Sequence, residues 1–333
     1  MTKNTTLIIE QVNPLESSKT AKYDIRPGIS SFNDFILSYP RGAYTGMRTI
    51  HRNAIVELHS HMKRISTSLS LMDLTHPEHP EGEAREALAS FMDESSLEEK
   101  LVPMLRQGLE AYYAQVDPTS HTVHPSEAKV SLMVAYSFED KKPCFAAHVG
   151  LMHTHPPNER VKVEVEEKAR TDPIVKDSQW VRERAGLERE KPDDVNEVIL
   201  MDYEGLLYEG MASNFLAIRS KPDGKPVVMC APLDHILLGT ILKIVIRICE
   251  KHDIEMDWSF PRLEDAMEGK WDDCCVTSTS RLLLPIKTMY YDHLRHIIEF
   301  EKPSKTMAFL RHQVELEIAN TAYTVIPEKE DDI

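Results

Sequence analysis

The chain has 333 residues, 41% hydrophobic and 28% charged, a length and composition that fit two ordinary globular domains. Its 39 lysines and arginines stand against 54 aspartates and glutamates, and the formal charge of -15 excludes nucleic acid and anionic membrane surfaces as expected partners. Five cysteines without a CxxC pair or ligand spacing read as reduced thiols; with no apolar leader and no apolar run of ~20 residues, a cytoplasmic enzyme is the expectation.

In chain order, Ile55, Leu58, Met62, Ile65, Leu69 and Met72 recur at steps of three and four and predict an amphipathic helix. A proline-broken loop follows at Thr75 to Gly82, then helical stretches from Gly82 to Met92 and from Leu97 to Val116. Lys129 to Tyr136 and Cys144 to Met152 read as strands joined by a polar turn. Between His153 and Asp172 the chain turns polar and proline-marked, which places a domain boundary there. Beyond it, Glu197 to Met201 and Leu206 to Glu209 form a hairpin across the turn Asp202 to Gly205. Phe215 to Ile218 and Val227 to Cys230 form a second hairpin, and a helix is expected from Gly239 to Lys251. A later helix spans roughly Pro303 to Ala319, and Glu328 to Asp332 reads as a disordered tail. The fold class is therefore α+β, with domains at 1-158 and 159-327 and a flexible tail at 328-333.

Two residues carry the chemistry. Lys176, behind the partly apolar Pro173-Ile174-Val175, is a candidate amine nucleophile, since burial helps such a lysine lose its proton. Glu209, 33 positions later, ends a strand and is followed by Gly210, so its carboxylate is a candidate partner for a cofactor ring. Taken alone, Lys176 more often reads as a solvated surface charge, and Glu209 also reads as an edge-strand glutamate in water. His61, Arg64 and Ser68 share one helix face, from which a guanidinium can reach inward to an anion. Gly239 and Thr240 open a helix, where free N–H groups favour an anion. His76, His79, His153 and His155 lie in polar loops without a third ligand, so no metal is expected.

The run from Asn196 through Gly205, then Glu209-Gly210 and Ser213-Asn214-Phe215, resembles the signature of class IV aminotransferases, pyridoxal-phosphate enzymes of fold type IV. Branched-chain aminotransferase, D-amino acid aminotransferase and aminodeoxychorismate lyase share it, and the resemblance extends from about Gly42 to Pro285. It implies a smaller α/β N-terminal domain, a strand-rich barrel-like C-terminal domain, and pyridoxal 5'-phosphate as cofactor. By the same resemblance Lys176 carries the cofactor and Glu209 pairs with its pyridine nitrogen, while Lys162 and Lys168 stand too far upstream for the family spacing and rank below Lys176. Arg64, Gly239, Thr240, Ile241 and Thr279 hold the phosphate, and Ser213 and Asn214 order the loop near the ring. Tyr44, Arg48 and Ser280 are the implied substrate contacts. The implied function is amino transfer from an amino acid, branched-chain or aliphatic, to a 2-oxo acid, in a homodimer. The alternatives are a lyase of the aminodeoxychorismate type and a noncatalytic protein on the same fold. Three positions depart from the family pattern: Ile65 replaces a leucine, no arginine follows Gly239-Thr240-Ile241, and Gln179-Trp180-Val181-Arg182 stands where several members have a tyrosine near the cofactor's phenolic oxygen. Arg182 and Arg184 are the candidates for that last contact.

Overall fold

A computed structural model describes residues 5–29, 31–116, 126–156, 158–168, 170 and 172–327. The expected tail at 328–333 lies outside the described residues. Two compact units divide the chain: Met1–His153, Val175–Arg182 and Thr321–Ile333 form the first, Thr154–Ile174 and Glu183–Asn320 the second.

The first unit runs β1 (Leu7–Gln11), β2 (Tyr23–Pro27), α1 (Phe32–Leu37), β3 (Gly42–Ile50), β4 (Ala54–Val56), α2 (Leu58–Leu71), α3 (Glu83–Ala87), α4 (Ala89–Met92), α5 (Glu94–Gln115), β5 (Ala128–Ser137) and β6 (Lys142–Leu151). Its sheet has seven strands, in the order Ala322–Thr324, β4, β3, β5, β6, β1, β2. Alternation divides the two faces. On one, Leu7, Ile9, Met47, Val130, Leu132 and Val149 join a core with Leu58, Met62 and Ile65 of α2 and Leu101 and Leu105 of α5. The other carries Tyr44, Met133 and Ala146 beneath Phe35 and Ile36 of α1.

The predicted helix starts later than its periodicity suggests. Ile55 belongs to β4, and Glu57, at φ 55°, turns the chain before α2 begins. An apolar residue at helical spacing was here a strand residue, because β3 pairs Thr49 with Ile55. The stretch from Gly82 to Met92 is two short helices separated at Leu88. Longer α5 is anchored by Asp93, whose side chain accepts the Ser96 N–H at 2.8 Å.

The second unit contains β7 (Val161–Glu167), α7 (Ala185–Glu190), β8 (Glu197–Met201), β9 (Leu207–Gly210), β10 (Ser213–Ser220), β11 (Pro226–Met229), α8 (Thr240–Lys251), β12 (Glu255–Asp257), α9 (Leu263–Met267), β13 (Asp273–Ser278), β14 (Leu282–Tyr291), β15 (His296–Glu299) and α10 (Lys305–Asn320); α6 (Gln179–Glu183) precedes α7. Six strands run β10, β13, β14, β7, β8, β9, and β9 pairs again with β10, so the ring closes into a barrel. Val161, Val163 and Val165 of β7 pack in its core with Ile199, Phe215, Val276 and Ile286. This is the fold class expected from the sequence. Strand β7 falls within the stretch read as a polar boundary: Lys162, Glu164 and Glu166 alternate with the three valines and disguise a half-buried strand.

Candidate active site

In the second unit, Glu209 stands directly opposite Asn214 across the β9–β10 pair that closes the barrel. Its carboxylate is almost fully buried and is held from three sides. Arg170 Nη1 lies 3.1 Å from Oε1, and both side chains are only 5% exposed. Oε2 accepts the Leu237 N–H at 3.1 Å and faces Asn214 Nδ2 at 3.5 Å. A buried carboxylate needs such partners, because leaving water without them costs several kcal/mol, roughly.

Asn214 also donates to the Leu237 carbonyl at 2.7 Å, which fixes the approach to α8. At Gly239 a Cβ would stand 2.1 Å from Asn214 Oδ1, so only glycine allows this close approach. The N-cap residue Gly239 supplies no side-chain cap to the N-terminus of α8 that follows. Thr240 Oγ1 lies 2.9 Å from Thr279 Oγ1, joining two residues 39 apart in sequence. The helix start and the pair of hydroxyls are a donor set that fits a phosphate. Asn214 and the Leu237–Gly239 backbone connect this donor set to Glu209, so the fold gathers Glu209, Asn214, Gly239, Thr240, Ile241 and Thr279 in one unit.

Other second-unit positions have different surroundings. Ser213 donates its hydroxyl to Glu197 Oε2 at 2.9 Å, and Arg281 pairs with the same carboxylate. Ser280 stays in the β13–β14 turn, 3.4 Å from Ser278 Oγ. A cavity of about 180 Å³ adjoins Glu209, lined by Lys168, Arg170, Tyr208 and His235 among others. Lys162 is bound to Asp194 at 2.6 Å on the surface.

In the first unit, Lys176 is held by its backbone. Its N–H donates to Ser68 Oγ at 3.0 Å, and its carbonyl accepts the Tyr44 N–H at 3.1 Å. Lys176 Nζ lies 5.0 Å from the centre of the Tyr44 ring. The helix face carrying Ser68 and the strand carrying Tyr44 thus converge on Lys176. The expected apolar approach is half realised, since Val175 is buried but Ile174 is exposed. His61 Nδ1 lies 2.7 Å from Thr45 Oγ1, tying α2 to β3, while Arg64 on the same helix is half-buried. Arg48, four residues beyond Tyr44 on β3, has its pKa lowered by burial, with Glu127 acting in the opposite sense.

The arginines suggested for the phenolic-oxygen contact make structural bonds. Arg182 donates to the Tyr39 carbonyl at 3.0 Å within the first unit. Arg184, buried in the second, donates to the Met211 carbonyl at 2.9 Å and lies 3.6 Å from Glu188. The guanidinium that sequence reasoning missed is Arg170. It sits in a polar stretch without periodicity, and nothing local marks it as the partner of a carboxylate 39 residues on.

The model of the family described as Amino-transferase class IV matches residues 42–289. This chain belongs to the class IV aminotransferases. Among solved structures, a putative branched-chain amino acid aminotransferase from Thermotoga maritima is similar at 19% identity, with 94% of this chain and 96% of that one covered and a TM-score of 0.62. A PLP-bound hypothetical aminotransferase from Mycobacterium tuberculosis is 13% identical, with 94% and 99% covered and a TM-score of 0.63. The branched-chain aminotransferase of Thermoproteus uzoniensis, solved with norvaline, is 16% identical, with 97% and 100% covered and a TM-score of 0.63. At these identities the likeness establishes the fold. No curated protein matches this class IV aminotransferase.

Proposed function

We propose that this class IV aminotransferase uses pyridoxal 5'-phosphate to move an amino group from an amino acid to a 2-oxo acid. The observation that carries this reading is the continuous set in the second unit, from the Glu209 carboxylate through Asn214 and Leu237 to the Gly239–Thr240 helix start and Thr279. It offers an acceptor for a ring nitrogen and donors for a phosphate, and the residues present fit the cofactor. When bound, pyridoxal phosphate supplies an electron sink that makes the substrate's alpha proton removable.

The chain's residues divide the remaining work. Glu209 holds a proton on the ring nitrogen. Thr240, Ile241 and Thr279 hold the phosphate, with Arg64 supplying charge; Gly239 keeps the backbone close and Asn214 orients Glu209. Lys176 Nζ carries the cofactor and moves the proton from the substrate's Cα. Tyr44, Arg48 and Ser280 are the proposed substrate contacts, and Ser213 acts through Glu197 on the loop. The branched-chain enzymes among the structural neighbours favour an aliphatic amino donor.

A cytoplasmic homodimer belongs to the same proposal. Five unpaired, buried cysteines support a reducing compartment, and burial pushes the Cys144 thiol up to about 11. The dimer rests on the family resemblance. No helix among the described residues is long and apolar enough to cross a membrane.

The test is an absorbance spectrum of the purified protein with added pyridoxal phosphate, before and after L- and D-amino acids. Wild type is expected to show a visible-edge band that amino acids diminish. In Lys176→Ala that band is absent and amino transfer falls by roughly a thousandfold or more. A band that persists unchanged in the variant assigns the role to another lysine, with Lys168 the first to examine.

A further inference from the structure

In the second unit, the turn that carries Thr279 is strained and tethered. Strands β13 and β14 pair as far as Ser278 and Leu282, so only Thr279, Ser280 and Arg281 connect them. Leu282, where the turn re-enters the sheet, holds φ 56°. Hairpin loops of this length pass through a left-handed residue, and glycine is the usual choice because a Cβ is unfavourable there. A bulky leucine keeps such a conformation only where its surroundings over-determine it. Across from Asn214, Thr277 adds no restraint through its side chain, since its buried hydroxyl has no hydrogen-bond partner among the described residues.

The restraint comes from Arg281. Its Nη1 donates to Glu197 Oε2, its Nη2 to the Asn196 carbonyl at 2.9 Å, and its backbone N–H to Ser278 Oγ at 3.3 Å. Glu197 is fully buried and also accepts from the Ser213 hydroxyl at 2.9 Å and the Val198 N–H at 3.1 Å. One carboxylate therefore joins β8, which carries it, to the first residue of β10 and to the turn after β13. At Gly210 a Cβ would stand 2.2 Å from Ser213 Oγ and 3.0 Å from Glu197 Cγ, so glycine lets the β9–β10 seam close around this carboxylate. Ser213 alternates with Asn214 along β10, and Ser278 with Thr277 along β13, so the ion pair acts on the donor set through the strands rather than from its own face. A buried ion pair adds little net stability over an apolar pair, and its best-attested use is to fix register.

We propose that Arg281, acting through Glu197, is a positioning residue for the cofactor's phosphate: it fixes the turn so that Thr279 meets Thr240, at 2.9 Å, in the spacing that a phosphate needs. The inference rests on the pyridoxal-phosphate reading and adds to it two residues that touch neither ring nor phosphate. Without the guanidinium, Leu282 can leave its left-handed conformation, the turn samples other arrangements, and the phosphate must order Thr279 as it binds. The ring end is held separately, by Arg170 and the Leu237 N–H on Glu209, so the loss falls on the phosphate.

The test is equilibrium dialysis of the full chain, freed of cofactor, against 4-deoxypyridoxine and its 5'-phosphate, which share the cofactor's ring and lack its aldehyde. The ratio of their affinities reads the phosphate end alone. In wild type the phosphorylated compound is expected to bind about a hundredfold tighter or better. Arg281→Met narrows that ratio about tenfold and changes the affinity for 4-deoxypyridoxine by less than about twofold. Arg281→Lys, which keeps a charge for Glu197 and loses the fork to Asn196, narrows it only about threefold. Glu197→Gln narrows it about threefold or more and keeps the test available should Arg281→Met fail to fold. An unchanged ratio in the folded variants overturns the proposal, as does equal weakening of both compounds, the mark of a purely structural pair. The absorbance response separates this inference from its parent. A wild-type band that responds to amino acids, with an unchanged ratio in the variants, overturns the positioning role alone. A ratio that narrows as expected in a protein with no amino-acid response keeps that role and overturns the aminotransferase reading; a wild type with no preference for the phosphorylated compound overturns both.

Discussion

In the second unit the strands β10, β13, β14, β7, β8 and β9 close on themselves, and the polar groups at the β9–β10 seam are partnered within the unit. Glu209 has Arg170, the Leu237 N–H and Asn214; Thr240 has Thr279. The first unit keeps an open sheet, and the buried hydroxyls of Tyr44 and Ser131 have no hydrogen-bond partner among the described residues. The contrast is one of polar satisfaction within each unit. A preorganised binding site needs polar groups whose supports are fixed in advance, and the groups around Glu209 and Thr240 meet that condition within one unit.

Three substitutions probe that contrast. The largest effect is expected for Arg170→Met, which strands the Glu209 carboxylate where both side chains are only 5% exposed. Unfolding in denaturant should show a loss of about 3–5 kcal/mol, as for other broken buried pairs. A loss under roughly 1 kcal/mol would mean that the barrel end is not held by this pair. Gly239→Ala places a methyl 2.1 Å from Asn214 Oδ1. Overpacking of this kind costs about 1–3 kcal/mol, and cofactor affinity by equilibrium dialysis should fall roughly tenfold to a hundredfold. Unchanged affinity would separate the α8 start from the phosphate.

The smallest effect concerns His148 in the first unit. Burial holds its pKa below the ordinary histidine value, so the unfolded chain takes up the proton first as pH falls. Its contribution is complete above the ordinary histidine pKa and is lost as pH falls toward the depressed value. The Tm of wild type should therefore drop by roughly a few degrees more than that of His148→Gln over this acid window. Parallel pH profiles would show that the ring is protonated as easily in the folded protein as in the unfolded chain.

Much of the second unit was legible because its signals are local. Strand β8 spans Glu197–Met201 as read, the turn has Gly205 at φ 78°, and α8 begins at Thr240 beside the expected Gly239. Turn chemistry and periods of two or 3.6 act over a few residues, so the chain displays them directly. Strand β7 went unread because charges occupy its outward positions, and β4 because Ile55 also continues the α2 periodicity.

Lys176, Glu209, Gly239, Thr240 and Thr279 were singled out in the chain by the order and spacing they share with the class IV pattern, since each residue alone also fits an ordinary surface, cap or turn position. Folding brought Arg170 to Glu209, Thr240 to Thr279, and Ser131 across from Gly46. The members of each pair are dozens of residues apart. Their meeting depends on which strands pair, in what register, and where a barrel closes, and those choices follow from burial summed over whole sheets rather than from any local pattern.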